Sequence, residues 1–139
     1  DFGYCRNTKT LNGIRNWDYP FIKNKVHFFS IRKEFEVSKE NVSHAILNNQ
    51  PYIIGGVIVA EPNKWLDFAD VIYSCQNEML NSNIIDDDQG VYLTTLLKRP
   101  DLFQINYLGE NQWFDTFRIF SNKPPIRFLG LIRRLLRKY

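Results

Sequence analysis

Apolar positions recur along this chain with two different periods, and their alternation lays out its elements. Residues 25–37, KVHFFSIRKEFEV, carry β-branched and aromatic side chains at strand density, and residues 39–49, KENVSHAILNN, read as a short helix. Residues 51–60, PYIIGGVIVA, form a continuous apolar run of strand length, far short of the ~20 residues a membrane span needs. They predict a buried strand. Residues 61–80 then place Trp65, Phe68, Ala69, Ile72 and Met79 near helical spacing, with Pro62 at the start, where proline is tolerated. Residues 89–99, QGVYLTTLLKR, predict a second long helix ending in Lys98 and Arg99 and stopped by Pro100. Residues 101–108 read as another strand, and residues 110–120 as an amphipathic helix with Trp113, Phe117 and Phe120 on one side. Strands alternating with helices imply a sheet with helical cover, in which ligands sit at strand ends and in the loops that follow.

Charge changes this picture only at one end. The net charge is +3, yet residues 126–139 hold five of the 18 basic residues and none of the 15 acidic ones, which leaves −2 for the rest. The basic residues are not spread over a folded face among aromatics, so nucleic acid is not the expected partner. Within 124–139, Phe128, Leu131, Ile132, Leu135 and Leu136 fall on one helical face, with Arg133, Arg134, Arg137 and Lys138 around the rest and Arg127 just before. Such a basic amphipathic segment can lie on an anionic membrane surface, each basic residue contributing on the order of 1 kcal/mol. Docking on the body is the equal alternative.

Cys5 and Cys75 stand far apart, with no Cys-x-x-Cys pair and no histidine at zinc-ligand spacing. A reduced compartment and no zinc are expected. His27 and His44 share no helix face and read as packing or surface residues. The chain begins at Asp1, and its single methionine is Met79. The expectation is a processed chain or a piece of something longer.

The chemistry-bearing candidate is Asp86-Asp87-Asp88-Gln89. Asp86 as a helix N-cap, with Gln89 three residues later, approaches a capping box. That leaves Asp87 and Asp88, two mutually repelling carboxylates, unexplained by the box, with an ordinary acidic helix start as the favoured structural alternative to a functional cluster. Gly55-Gly56 is the second oddity. Glycine inside an apolar strand costs stability and marks either a bulge or a close backbone approach.

Taken together, IIGGVIVAEPNKWLDF (53–68), the DDDQ run (86–89) and KRPDLFQI (98–105) resemble the HtrL/YibB-like family of bacterial proteins of lipopolysaccharide and surface-glycan synthesis. That family is related to glycosyltransferases of the A-type, nucleotide-sugar-binding (GT-A) fold. The resemblance covers roughly residues 1–120. It implies an α/β fold, the C-terminal part of a GT-A-like transferase, with a partial domain over 1–123 and the basic tail over 124–139. The nucleotide-binding half would lie before residue 1, leaving this chain inactive by itself. The implied activity is sugar transfer from a nucleotide-sugar donor to a surface-glycan acceptor, in the cytoplasm or at the inner membrane. In the implied site Asp88 is the acceptor-side carboxylate and Asp87 the second. Gln89, Gly55, Gly56 and Trp65 contact substrate. Asp1 in DFGY stands as the surviving acid of an Asp-x-Asp motif for a divalent cation, Mn or Mg, with Gly3 where the second acid often is. The alternative expectation is a non-catalytic remnant that binds membrane or glycan through the same surfaces.

Overall fold

The computed structural model describes residues 11–120 apart from 13, 15, 17, 34, 35 and 111. Asp1 as a metal ligand, the basic tail and the division at residue 123 all lie outside the described residues.

A three-stranded sheet carries the fold, with β1 (Val26–Ser30) in the centre, β2 (Val59–Ala60) antiparallel on one side and β3 (Phe103–Tyr107) parallel on the other. Three helices accompany it: α1 (Lys39–Leu47), α2 (Pro62–Asn81) and α3 (Asp88–Lys98). All five residues of β1 are buried, His27 and Ser30 among them, as expected of a central strand covered on both faces. Side chains alternate across a strand, and the core divides accordingly. Val26 and Phe28 join Phe103, Val42, Phe68, Cys75, Leu93 and Leu96 on the helical side, while Phe29 joins Ile54, Phe21, Trp113 and Phe117 on the other. Phe28 anchors the larger cluster, its ring stacked 4.8 Å from Phe103 and 5.2 Å from Tyr92 and meeting Phe68 edge-on at 5.6 Å.

Local chemistry explains most element ends. Ser38 caps α1 by accepting from the Asn41 N–H at 3.2 Å. Pro62 opens α2 in its first turn, where no intrahelical N–H is lost. Beyond β1, the Ser30 hydroxyl accepts from the Arg32 N–H at 3.0 Å, a local turn that competes with the ladder. The strand expected over 25–37 therefore stops at Ser30.

Two further expectations are corrected. Residues 51–60 do not form one strand: Ile53 makes an isolated bridge to Ser30, Gly55 and Gly56 turn the chain, and only Val59–Ala60 pairs with β1. The run is apolar because Ile53 and Ile54 are buried on opposite sides of the sheet, which burial alone demands without a ladder. Residues 110–120 are not an α-helix either. After Gly109, at φ +117°, the chain makes tight turns and a 3-10 segment, Thr116–Phe120, held by an Asp115–Arg118 ion pair at 2.6 Å. Trp113 and Phe117 nonetheless pack on the Phe29–Ile54 cluster, so their apolar spacing records burial and not helical period. In α2, Ala69 is exposed and Val71 and Cys75 take the inward positions. His27 is a packed residue, with Nε2 2.9 Å from the Ile22 carbonyl and Nδ1 3.2 Å from the Asn106 amide. His44 lies exposed on α1.

Candidate functional site

The three consecutive aspartates diverge. Asp87, not Asp86, is the N-cap of α3, at φ −72° and ψ −174°, and its carboxylate accepts from the Gln89 N–H at 2.9 Å. A capping box needs a side chain three residues after the cap, and there stands Gly90, which has none. Asp86, just before the cap, lays its carboxylate over that glycine. A carbon added at Gly90 would lie 2.6 Å from Asp86 Cγ, so glycine is the residue that admits this approach inside a helix. Asp88, the first residue of α3, turns its carboxylate away from both, toward the 55–56 turn.

That contact explains the glycine at position 55. Its φ is not positive, so no left-handed conformation requires it. Space does. A carbon added there would sit 2.6 Å from Asp88 Cγ and would overlap Oδ2. The close backbone approach anticipated from the sequence is thus to a carboxylate of the same chain. Gly56 is the second, half-buried residue of the turn.

Asp88 as a whole remains exposed, but its carboxylate is pressed against the turn. Loss of water there pushes its pKa above the usual carboxylate value. The negative charge of Asp87 adds to the rise, the hydrogen bonds from backbone N–H groups oppose it, and Asp86 contributes least. One helical turn on, the half-buried Tyr92 phenol is also pushed up, first by burial and then by the charge of Asp88. The Tyr92 ring is fixed by Phe28 at 5.2 Å and Phe68 at 5.8 Å. Trp65, in the first turn of α2 and 42% exposed, leans on Phe68 at 5.8 Å. The structure therefore brings Gly55, Asp88 and Tyr92 together, while Trp65 stands on the far side of the Phe68 ring contact from Tyr92. Asp87 is spent on the helix cap. Gln89 is half-buried and supplies its backbone N–H to that cap. Tyr92 was not singled out in the sequence, although its position four residues after Asp88 put it on the same helix face.

The arrangement suits proton transfer and hydrogen bonding better than cation binding. Among the described residues no group of three His, Cys, Asp or Glu side chains could hold a metal ion, and three carboxylates pointing three ways do not converge on one. The divalent cation that the family resemblance implies is assigned to Asp1, which lies outside the described residues. Cys75 is buried, and burial pushes its thiol up, which keeps it protonated and unreactive. No helix among the described residues is long and apolar enough to cross a membrane.

A small mixed sheet, helices packed on its central strand, and a carboxylate niche where a glycine turn meets a helix N-terminus define the class of this protein. The chain belongs to the HtrL_YibB family, described as a bacterial protein of unknown function, whose model matches residues 1–122. It is 46% identical over 123 residues to Protein HtrL of Escherichia coli (strain K12). That match takes in 88% of this chain and 43% of the relative, so the chain spans less than half the length of the curated relative. No solved structure matches it.

Proposed function

We propose that this chain forms the acceptor side of a glycosyltransferase that moves a sugar from a nucleotide-sugar donor to a surface-glycan hydroxyl. The observation that carries the reading is the Asp88 carboxylate, held at the Gly55 turn with a raised proton affinity near Tyr92. Carboxylates so perturbed by dehydration and a like charge cluster at functional sites. A base is most effective when its pKa approaches the working pH, so the shift on Asp88 is in the useful direction.

In the reaction, the acceptor oxygen attacks the anomeric carbon, the bond from that carbon to the diphosphate oxygen breaks, and Asp88 takes the acceptor's proton. Tyr92, kept protonated, donates a hydrogen bond to a neighbouring sugar hydroxyl, and the open face of Trp65 receives the apolar face of the ring. Asp87 supports Asp88 through the helix cap and its charge, and Gln89 lies one residue further along the same turn. No step is routed through a metal. The donor's nucleotide is bound, on this reading, by a part of the enzyme corresponding to what Protein HtrL has beyond the matched 43%. The basic segment with Arg127, Arg133, Arg134, Arg137 and Lys138 holds the enzyme at an anionic membrane surface, where lipid-linked acceptors are found.

The test is a transfer assay with the full-length gene product against a panel of nucleotide sugars and extracted surface-glycan acceptors, with and without manganese. Donor turnover that requires acceptor supports the reading. Absence of transfer and of donor binding across the panel overturns it.

A further inference from the structure

The two edges of the sheet are built differently. On one side β2 is two residues long, follows the Gly55–Gly56 turn and runs straight into Glu61 and Pro62 at the start of α2. A short strand that ends in a charge and a proline offers little to pair with. On the other side β3 is regular over five residues, and residues 102–108 contain no charge, proline or glycine. Native sheets blunt an exposed edge with such residues, because unpaired N–H and C=O groups are a template for another strand. The β3 edge carries no such protection.

The ladder fixes which groups face outward. β1 and β3 are parallel, with Phe29 opposite Asn106. The Leu108 N–H donates to the Ser30 carbonyl at 2.9 Å, and main-chain groups alternate sides along a strand. Gln104, Asn106 and Leu108 therefore turn their main chain toward β1, and Phe103, Ile105 and Tyr107 turn theirs away. The Phe103 N–H closes the preceding 3-10 turn on the Pro100 carbonyl, and the Gln104 side-chain amide donates to the Ile105 carbonyl at 3.0 Å. The N–H groups of Ile105 and Tyr107 meet no partner among the described residues. Phe103 and Ile105 pack their side chains on the helical cluster, while Tyr107, on the same face by alternation, is 43% exposed.

We propose that this edge is where the rest of the full-length product joins: one of its extended segments pairs with β3 and adds a fourth strand to the sheet. The chain covers 43% of Protein HtrL, so in a product of that length more than half lies elsewhere and is the nearest source of a strand. Three strands are also fewer than the roughly four to six usual in a sheet. The chemistry of the edge describes the segment. It is uncharged where it crosses Ile105, supplies a carbonyl to each of the Ile105 and Tyr107 N–H groups, and sets an apolar side chain beside Ile105 on the helical face. The joint goes beyond the reaction proposed above and holds whether or not the product transfers sugar.

Amide hydrogen exchange of the full-length product, read residue by residue, tests the joint, and the ladder supplies its own reference. The Gln104 and Asn106 N–H groups face β1 and should exchange slowly in any case. On a covered edge Ile105 and Tyr107 should match them, slowed at least about a thousandfold against an unstructured chain and independently of protein concentration. Tyr107→Pro removes one outward donor and leaves the Leu108 bond to Ser30 in place, so it should speed exchange at Ile105 at least about tenfold. Tyr107→Thr, which keeps the N–H and loses the ring, should not. Slow Gln104 and Asn106 alternating with fast Ile105 and Tyr107 overturn the proposal. So does protection at all four that Tyr107→Pro leaves unchanged, or that Tyr107→Thr lowers as much, which would assign it to the ring. Protection that appears only as the product self-associates gives the edge to a second copy and overturns the proposal too.

Discussion

Replacing Gly55 by alanine isolates the contact on which the site is built. The added methyl would overlap Asp88 Oδ2 and lie 2.6 Å from Cγ, where ordinary contact begins near 3.4 Å, so the carboxyl group must retreat by roughly 1.5 Å. Overpacking of this kind costs about 1–3 kcal/mol. The obstacle here is the end of a short side chain that can swing toward water, so the lower half of that range, about 1–2 kcal/mol, applies. Because the φ of Gly55 is not positive, alanine also fits the backbone and reduces the freedom of the unfolded chain, a gain of about 0.4–1 kcal/mol. Gly55→Ala alone should therefore destabilise by only about 0.5–1 kcal/mol, the difference of those two effects. In an Asp88→Ala background the clash is gone, and the same substitution should be neutral or mildly stabilising. Urea unfolding of the four proteins in this cycle should return a coupling of about 1–2 kcal/mol. Displacing the carboxylate into water should also lower the Asp88 pKa, followed by NMR titration. A coupling below about 0.3 kcal/mol, the limit of additivity, would show that Gly55 and Asp88 do not touch.

The remaining predictions follow from the divergence of the aspartates and from the core. Asp87→Ala should cost about 1 kcal/mol through loss of the cap, and Asp86→Ala less than half of that, in urea melts; the reverse order would reassign the cap. The Asp88 pKa is raised in the folded state, so the folded protein binds that proton more tightly, and stability falls as pH rises from the ordinary aspartate value through the folded one. Asp88→Asn should accordingly melt higher than wild type at pH 7, with the gain gone below the unfolded pKa, and an unchanged melting curve at every pH would remove the dehydration argument. Phe28→Ala, which empties the contact among Phe103, Phe68 and Tyr92, should destabilise by about 3–5 kcal/mol in the same melts. Deleting residues 126–139 should abolish co-sedimentation with anionic liposomes, and equal binding with and without them would exclude the membrane contact.

Particular residues show what the linear pattern reveals and what it hides. The two long helices were legible, because Pro62, the acidic start of α3 and the Lys98–Arg99–Pro100 stop are local signals that act through nearest neighbours on the chain. Residues 51–60 were misread because a continuous apolar run reports burial but not hydrogen bonding, and the Gly55–Gly56 turn divides that burial between two faces of the sheet. The shared apolar side of Trp113 and Phe117 was legible while the backbone that carries it was not, since a turn and a 3-10 segment place the same side chains inward without an α-helix. In the candidate site, Asp88 and Gly55 were each conspicuous in the sequence. Their contact was not, because it joins positions on different elements and fills the space that a missing side chain leaves. Asp86 looked like the cap until Gly90 made a box impossible, and Tyr92 was hidden because a tyrosine on a helix face gives no sign of which carboxylate it will approach.

The most direct test compares Asp88→Asn with Asp86→Asn and Asp87→Ser in the full-length product, measuring kcat for sugar transfer and the unfolding free energy of each. The account predicts that Asp88→Asn loses at least about a hundredfold in kcat, the usual contribution of a positioned base, while its stability at neutral pH is equal or higher. Asp86→Asn should turn over nearly normally, and Asp87→Ser, which still caps the helix, should lose far less than Asp88→Asn. Near-normal transfer by Asp88→Asn, or equal losses in all three, would contradict it and leave the three carboxylates as parts of a helix start.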